Sequence, residues 1–191
     1  SFYYFKNGEP AKASLYLDSL LKSTATFPLS PSTLLEIHFH KTISLIRNNE
    51  YKEAINAALR MLALAEKNKD TLAVMRSYSL LGWANMELDN ETEAIHWLNK
   101  GIKASKNEAL LANVNSLFLN ISSCYNLTDK PDSALYYVNK GIAFSKQVEN
   151  LTSEANGLNI RAAIYSRRDL KKEALIDLET ALQIRKKIGD L

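Results

Sequence analysis

The chain has 191 residues, 46 % of them hydrophobic and 24 % charged, with a formal net charge of +3. These are the proportions of an ordinary soluble protein, and so small and scattered a charge gives no reason to expect a polyanionic partner. The single cysteine, Cys124, excludes an intramolecular disulfide and has no partner for a metal site, and neither a signal peptide nor a run of ~18 apolar residues is present.

In chain order, Phe2–Phe5 reads as the apolar end of a helix and Asn7–Pro10 as a turn, with Pro10 suited to the first turn of the next helix. Ala13, Leu17, Leu20 and Leu21 then share one helical face. Thr24–Ser32, with Pro28 and Pro31, is the longest interruption. Helix Thr33–Arg47, turn Asn48–Glu50 and helix Tyr51–Lys67 follow, and Asn68–Asp70 breaks to the next pair. That pair is helix Ser77–Glu87, turn Leu88–Asn90 and helix Glu91–Lys106. Next come helix Asn107–Asn126, turn Leu127–Lys130 and helix Pro131–Lys146, where Pro131 and Asp132 make a good helix start. The last pair is Thr152–Arg167 and Leu170–Ile188, with Asp169 expected as its N-cap.

These pairs repeat. Leu98–Lys106 (LNKGIKASK) returns forty residues later as Val138–Lys146 (VNKGIAFSK), and an alanine recurs at Ala54, Ala94, Ala134 and Ala174. Self-similarity at such a period marks a helical solenoid. The expected domain plan is one array over 1–191: a partial repeat at 1–32, then repeats at 33–70, 71–106, 107–150 and 151–191. Neither end looks closed, because the first repeat lacks most of a helix and the last helix shows Leu175, Leu178, Ala181, Leu182 and Ile184 with nothing after it. A fragment of a longer chain is the expectation.

No catalytic constellation is legible. His38 and His40 are two apart and cannot chelate one ion from a helix, His96 is isolated, and no phosphate loop, HExxH or GxSxG occurs. Lys/Arg groups at 167–172 and 185–187 read as solvated helix ends. No enzyme and no cofactor is expected.

Within each repeat, the first helix carries a small residue followed three positions later by an aromatic or apolar one: Ser122 with Tyr125, Ala162 with Tyr165, Thr42 with Leu45. In another repeat Gly82, preceded by Leu81, is followed by Asn85. The recurrent alanine follows, then an apolar residue four on (Leu98, Val138, Leu178) and a small one after three more (Gly101, Gly141, Ala181). This pattern resembles the tetratricopeptide repeat (TPR), over essentially the whole chain. Departures are Ala58 where a larger residue is usual, Lys41 and Arg161 in place of apolar residues, and longer helices without the family's closing proline. The resemblance implies an all-α fold, a right-handed solenoid of antiparallel helix pairs with about four and a half repeats.

It also implies that first helices line a concave groove. Placed on this sequence, the groove takes Glu36, Phe39, Ile43 and Arg47, then Arg76, Ser79, Trp83 and Glu87. Further along it takes Ser116, Leu119, Asn120, Ser123 and Asn126, then Asn156, Asn159, Ala163 and Arg167. The Lys/Asn/Arg set with which chaperone-associated members hold a C-terminal carboxylate is missing. Asparagines can donate and accept toward an extended peptide, and Trp83 with Phe39 and Ile43 would supply an apolar pocket.

The expected function is therefore a non-enzymatic protein- or peptide-binding module, similar to the sensor region of bacterial TPR-containing histidine kinases and transcription regulators. The alternative is a constitutive scaffold. The expected partner is a protein or extended peptide, with a homodimer through the open ends as a further expectation. Neither nucleic acid nor membrane is expected to bind this segment. The compartment would be periplasm for a membrane kinase and cytoplasm for a soluble regulator.

Overall fold

A computed structural model of the chain describes residues 9–23, 28–105 and 114–189. Among the described residues there are nine α-helices and no strand. They are α1 (Pro10–Ser23), α2 (Pro31–Arg47), α3 (Tyr51–Lys67), α4 (Thr71–Met86), α5 (Glu91–Ala104), α6 (Val114–Leu127), α7 (Pro131–Gln147), α8 (Leu151–Arg167) and α9 (Lys171–Ile188). The chain forms two compact units, Ser1–Ala104 and Ser105–Leu191. In the first, each of α1 to α4 packs on its successor, and α2 also touches α4. In the second, each of α6 to α8 packs on its successor, and α6 also touches α8. Within each unit, the first helices of successive pairs therefore touch directly.

The turns explain how so few glycines suffice. The N–H groups of Glu50, Asp70, Asn90, Lys130, Asn150 and Leu170 each donate to the carbonyl five residues back, at 2.8–3.0 Å. The residue before each of them is left-handed: Asn49, Lys69, Asp89, Asp129, Glu149 and Asp169, with φ of 53–62°. This is the Schellman closure, which satisfies the orphan carbonyls of a helix end. Asn and Asp tolerate the left-handed region better than other L residues, so four of the six turns are chemically suited to it.

First helices are then started by a side chain. Ser30, Asp70 and Asn150 accept from the N–H of Thr33, Ala73 and Ser153 at 3.2, 2.9 and 3.0 Å. Two expectations change here. The cap at Asp70 starts α4 at Thr71, six residues ahead of the expected Ser77. Asp169 is not the cap of α9: it occupies the left-handed turn position, and its carboxylate pairs with Lys171 at 3.1 Å. Smaller shifts place the end of α5 at Ala104 and the start of α2 at Pro31. The expected readings of 1–8, of 24–27 and of the start of helix 107–126 lie outside the described residues.

The core follows a small-against-large rule. Ala54, Ala94 and Ala134 are fully buried and Ala174 nearly so. Gly82 leaves no room for a side chain, since a Cβ there would lie 2.5 Å from Leu98 Cδ2. Ala58, fully buried, matches Leu98 in register, and its repeat carries Thr42 where Gly82 stands in the next. The departure at Ala58 is thus compensated by volume given back at Thr42. Burying one leucine of this kind contributes about 1.5–3 kcal/mol. Cys124 is fully buried, as a small core residue.

The two charged departures are also accounted for. Leu81 and Ile121 fill the register position of Lys41 and Arg161 with buried aliphatic side chains. Lys41 instead pairs with Asp18 of α1. Arg161 forks onto Asp177 of α9, with Nε and Nη2 each 2.7 Å from a carboxylate oxygen, and Nη1 donates to Asn139 Oδ1 at 2.7 Å. The hydrogen bonds to Asp177 raise the arginine's pKa further, and Asp177 is only 4 % exposed.

Candidate functional site: the first-helix faces

In the first unit the expected groove residues come from α2 and α4, which are in contact. Each residue on α2 has a counterpart forty positions on: Glu36 with Arg76, Phe39 with Ser79, Ile43 with Trp83, and Arg47 with Glu87 of the turn after α4. At the first of these positions the register lays opposite charges beside each other. At one end Arg76 Nη1 donates to Glu36 Oε1 at 2.7 Å and its guanidinium lies 4.9 Å from the centre of the Phe39 ring. His40 meets the same ring edge-on at 5.4 Å and approaches Glu36 Oε2 at 3.8 Å.

At the other end Trp83 Nε1 donates to Glu87 Oε1 at 3.0 Å. The single Tyr51 hydroxyl hydrogen is shared between Asn49 Oδ1 at 2.7 Å and the second oxygen of Glu87 at 3.5 Å. Partial burial, the Glu87 charge and that hydrogen bond push the Tyr51 phenol pKa up. Between the ends, Phe39, Ile43 and Trp83 are half-buried against the core, each leaving part of its surface open. Ser79 is half-buried and Arg47 exposed. Tyr51, Asn49 and His40 were not among the expected residues. Tyr51 opens a second helix, so a projection that used first helices alone could not reach it.

In the second unit the row comes from α6 and α8, also in contact. Leu119 does not belong to an open face. It is only 6 % exposed and sits where both Gly141 and Gly157 make room, a Cβ at those positions coming within 2.6 and 3.2 Å of Leu119 Cδ2. Two glycines on neighbouring helices turn a groove position into core. Asn120, Ser123, Asn126 and Asn159 are half-buried, while Ser116, Asn156, Ala163 and Arg167 are exposed. Several polar groups of this row are already engaged. Asn156 Oδ1 accepts from Arg185 of α9 at 2.8 Å, Ser123 Oγ donates to the Leu119 carbonyl at 3.2 Å, and Arg167 donates to the Asn126 carbonyl.

Among the described residues no group of three or more His, Cys, Asp or Glu is placed to hold a metal ion. No described helix is long and apolar enough to cross a membrane.

No family model and no curated protein matches this sequence. Solved structures do. BtubC (BKLC) from P. vanneervenii superposes with a TM-score of 0.76 at 17 % identity, over 93 % of this chain and 72 % of that one. A putative kinesin light chain of Podosopora anserina with nearly identical TPR-like repeats gives 0.70 at 18 %, over 99 % and 92 %. MamA gives 0.63 at 18 %, over 99 % and 96 %. The fold is TPR-like. At such identities the likeness concerns the fold alone, so the function of this TPR-like chain has to be argued from its own residues.

Proposed function

We propose that the chain is a protein- or peptide-binding module and that the first-helix face of its first unit receives the partner. The observation that carries this is the half-buried apolar row Phe39–Ile43–Trp83, bounded by the Glu36–Arg76 pair and by Glu87. Rigid aromatic anchors framed by charges are the composition of binding hot spots, and the flanking acid and base can fix the direction of an extended peptide. The polar row of the second unit, with Asn120, Asn126, Asn156, Asn159 and Arg167, supports the same reading, since asparagine both donates and accepts. A displayed library of random peptides panned on the full chain tests it. Peptides enriched on the wild type should lose about tenfold or more of their affinity on a Trp83→Ala variant. No enrichment, or equal binding to both, sinks the proposal.

The larger role we infer is that of a sensor or interaction segment in a bacterial signalling protein, where partner binding favours one arrangement of the repeats. It predicts an output domain elsewhere in the parent chain, and a parent without one refutes it. A scaffold is the second reading, favoured by the exposed apolar side chains of Leu175, Ile176, Leu178 and Leu182 on α9. It predicts self-association or tight constitutive partners, and sedimentation of the wild type against Leu178→Glu distinguishes the two.

A further inference from the structure

Away from the first-helix row, α1, α2 and α3 enclose a pocket of about 460 Å³. Its lining includes His38 from α2, Ala57 and Arg60 from α3, and Leu15 from α1, whose side chain is 70 % exposed. Two other helix pairs carry aromatic rings at this place, while the α8–α9 pair carries Leu158, Asp177 and Thr180. His38, Ala57 and Arg60 align with Tyr78, Trp97 and Lys100 in the next helix pair, and with Phe118, Tyr137 and Lys140 in the one after. Tyr78 and Trp97 stack with centroids 5.9 Å apart, and the Lys100 ammonium lies 4.5 Å over the indole. Phe118 and Tyr137 face each other at 6.3 Å, with the Lys140 ammonium 5.9 Å from Phe118 and 4.4 Å from Tyr136. Two helix pairs thus supply ring, ring and cation. The α2–α3 pair supplies a ring and a cation, with only the Ala57 methyl at the second ring's position.

His38 Nδ1 is itself out of contact with solvent and has no hydrogen-bond partner within the chain, so the ring and not this nitrogen is what the pocket can offer a ligand. Burial, with the charges of Lys41 and Arg60, lowers the pKa of this imidazole, so the ring is uncharged at pH 7. A phosphate or other multiply charged anion is disfavoured, because Asp18, Glu50 and Glu53 also line the pocket.

We propose that the pocket binds a phenol or indole ring, stacked on His38 and with Arg60 over its face. The ring can come from a tyrosine or tryptophan of a partner peptide or from a free phenol or indole; the recognition chemistry is the same. The site does not depend on the proposed peptide face, and shares no residue with it.

The test uses the full chain, isotope-labelled, with the His38 imidazole signals followed by NMR. p-Cresol and indole should shift them saturably in the millimolar range or below, while cyclohexylmethanol should not. N-acetyl-tyrosinamide binding as well as p-cresol identifies a peptide side chain as the source, and binding of the free rings alone identifies a small molecule. Ala57→Trp, which rebuilds the ring of the neighbouring repeat, should weaken p-cresol about tenfold or more with helix content retained. Should that variant fail to fold, the exposed Arg60→Ala decides, with an expected weakening of about threefold. Absence of any saturable shift, or unchanged p-cresol binding in the folded variants, overturns the proposal.

Discussion

Gly82 and Leu98 occupy one space: a Cβ added at 82 would stand 2.5 Å from both Cγ and Cδ2 of the fully buried leucine. Gly82→Ala should therefore destabilise the protein by about 1–3 kcal/mol, as overpacked cores do, despite the better helix propensity of alanine. In a Leu98→Ala background the same substitution should become neutral or stabilising, since Thr42 and Ala58 show that the register accepts the reverse distribution of volume. Urea denaturation of the four-protein cycle measures the coupling, and additive effects would refute it.

Lys69 and Glu149 hold φ of 55° and 53° without a glycine or an Asn/Asp side chain to ease it. Lys69→Gly and Glu149→Gly should each raise stability by roughly 1 kcal/mol, the usual cost of the left-handed region to an L residue. The midpoint of urea unfolding reports the gain. Asn49→Gly is the control, with a smaller expected effect.

Asp177→Ala removes the carboxylate that Arg161 grips with two 2.7 Å bonds. Leaving that half-buried guanidinium unpaired should cost on the order of 3 kcal/mol. Replacing both partners, Arg161→Met with Asp177→Leu, should recover most of the loss, as Leu81 and Ile121 already fill the Arg161 position in other repeats. Thermal unfolding of single and double variants separates a necessary pair from a removable one.

Stability should fall as pH drops below about 6.5, the unperturbed histidine value. His38 has its pKa lowered in the folded chain by burial, then by Lys41 and Arg60. In the window below 6.5 the unfolded chain therefore binds the proton first, and protonation favours unfolding; above it both states are neutral and the effect vanishes. Asp18, Glu50 and Glu53 also face this imidazole. A His38→Gln variant should show a shallower loss of melting temperature between pH 7 and 5 than the wild type.

The repeating frame was legible because it is written in residue types with few substitutes. Buried alanines at 54, 94, 134 and 174 can only mean helices that approach closely, and Asn-Asn or Asp-Asn pairs between apolar stripes mark turns. Single-residue roles were less legible where they depend on residues far along the chain. Nothing near Leu119 says that Gly141 and Gly157 will draw it into the core. Asp169 has the chemistry of a helix cap, and only the five-residue closure from Leu170 to Tyr165 shows that the turn needs it one place earlier. The Glu36–Arg76 pair follows from the register alone, whereas Tyr51 reaches Glu87 from a helix of the other kind.

Leu119 has a mechanical meaning too. One side chain of α6 fills the space that a Cβ would need at a glycine of α7 and at a glycine of α8. A methyl group seated between two bare backbones acts as a rivet, because sliding either helix along its axis would drive the leucine into a main chain that has no side chain to yield. Close packing of this kind makes sliding of α7 or α8 past α6 costlier than tilting about that point.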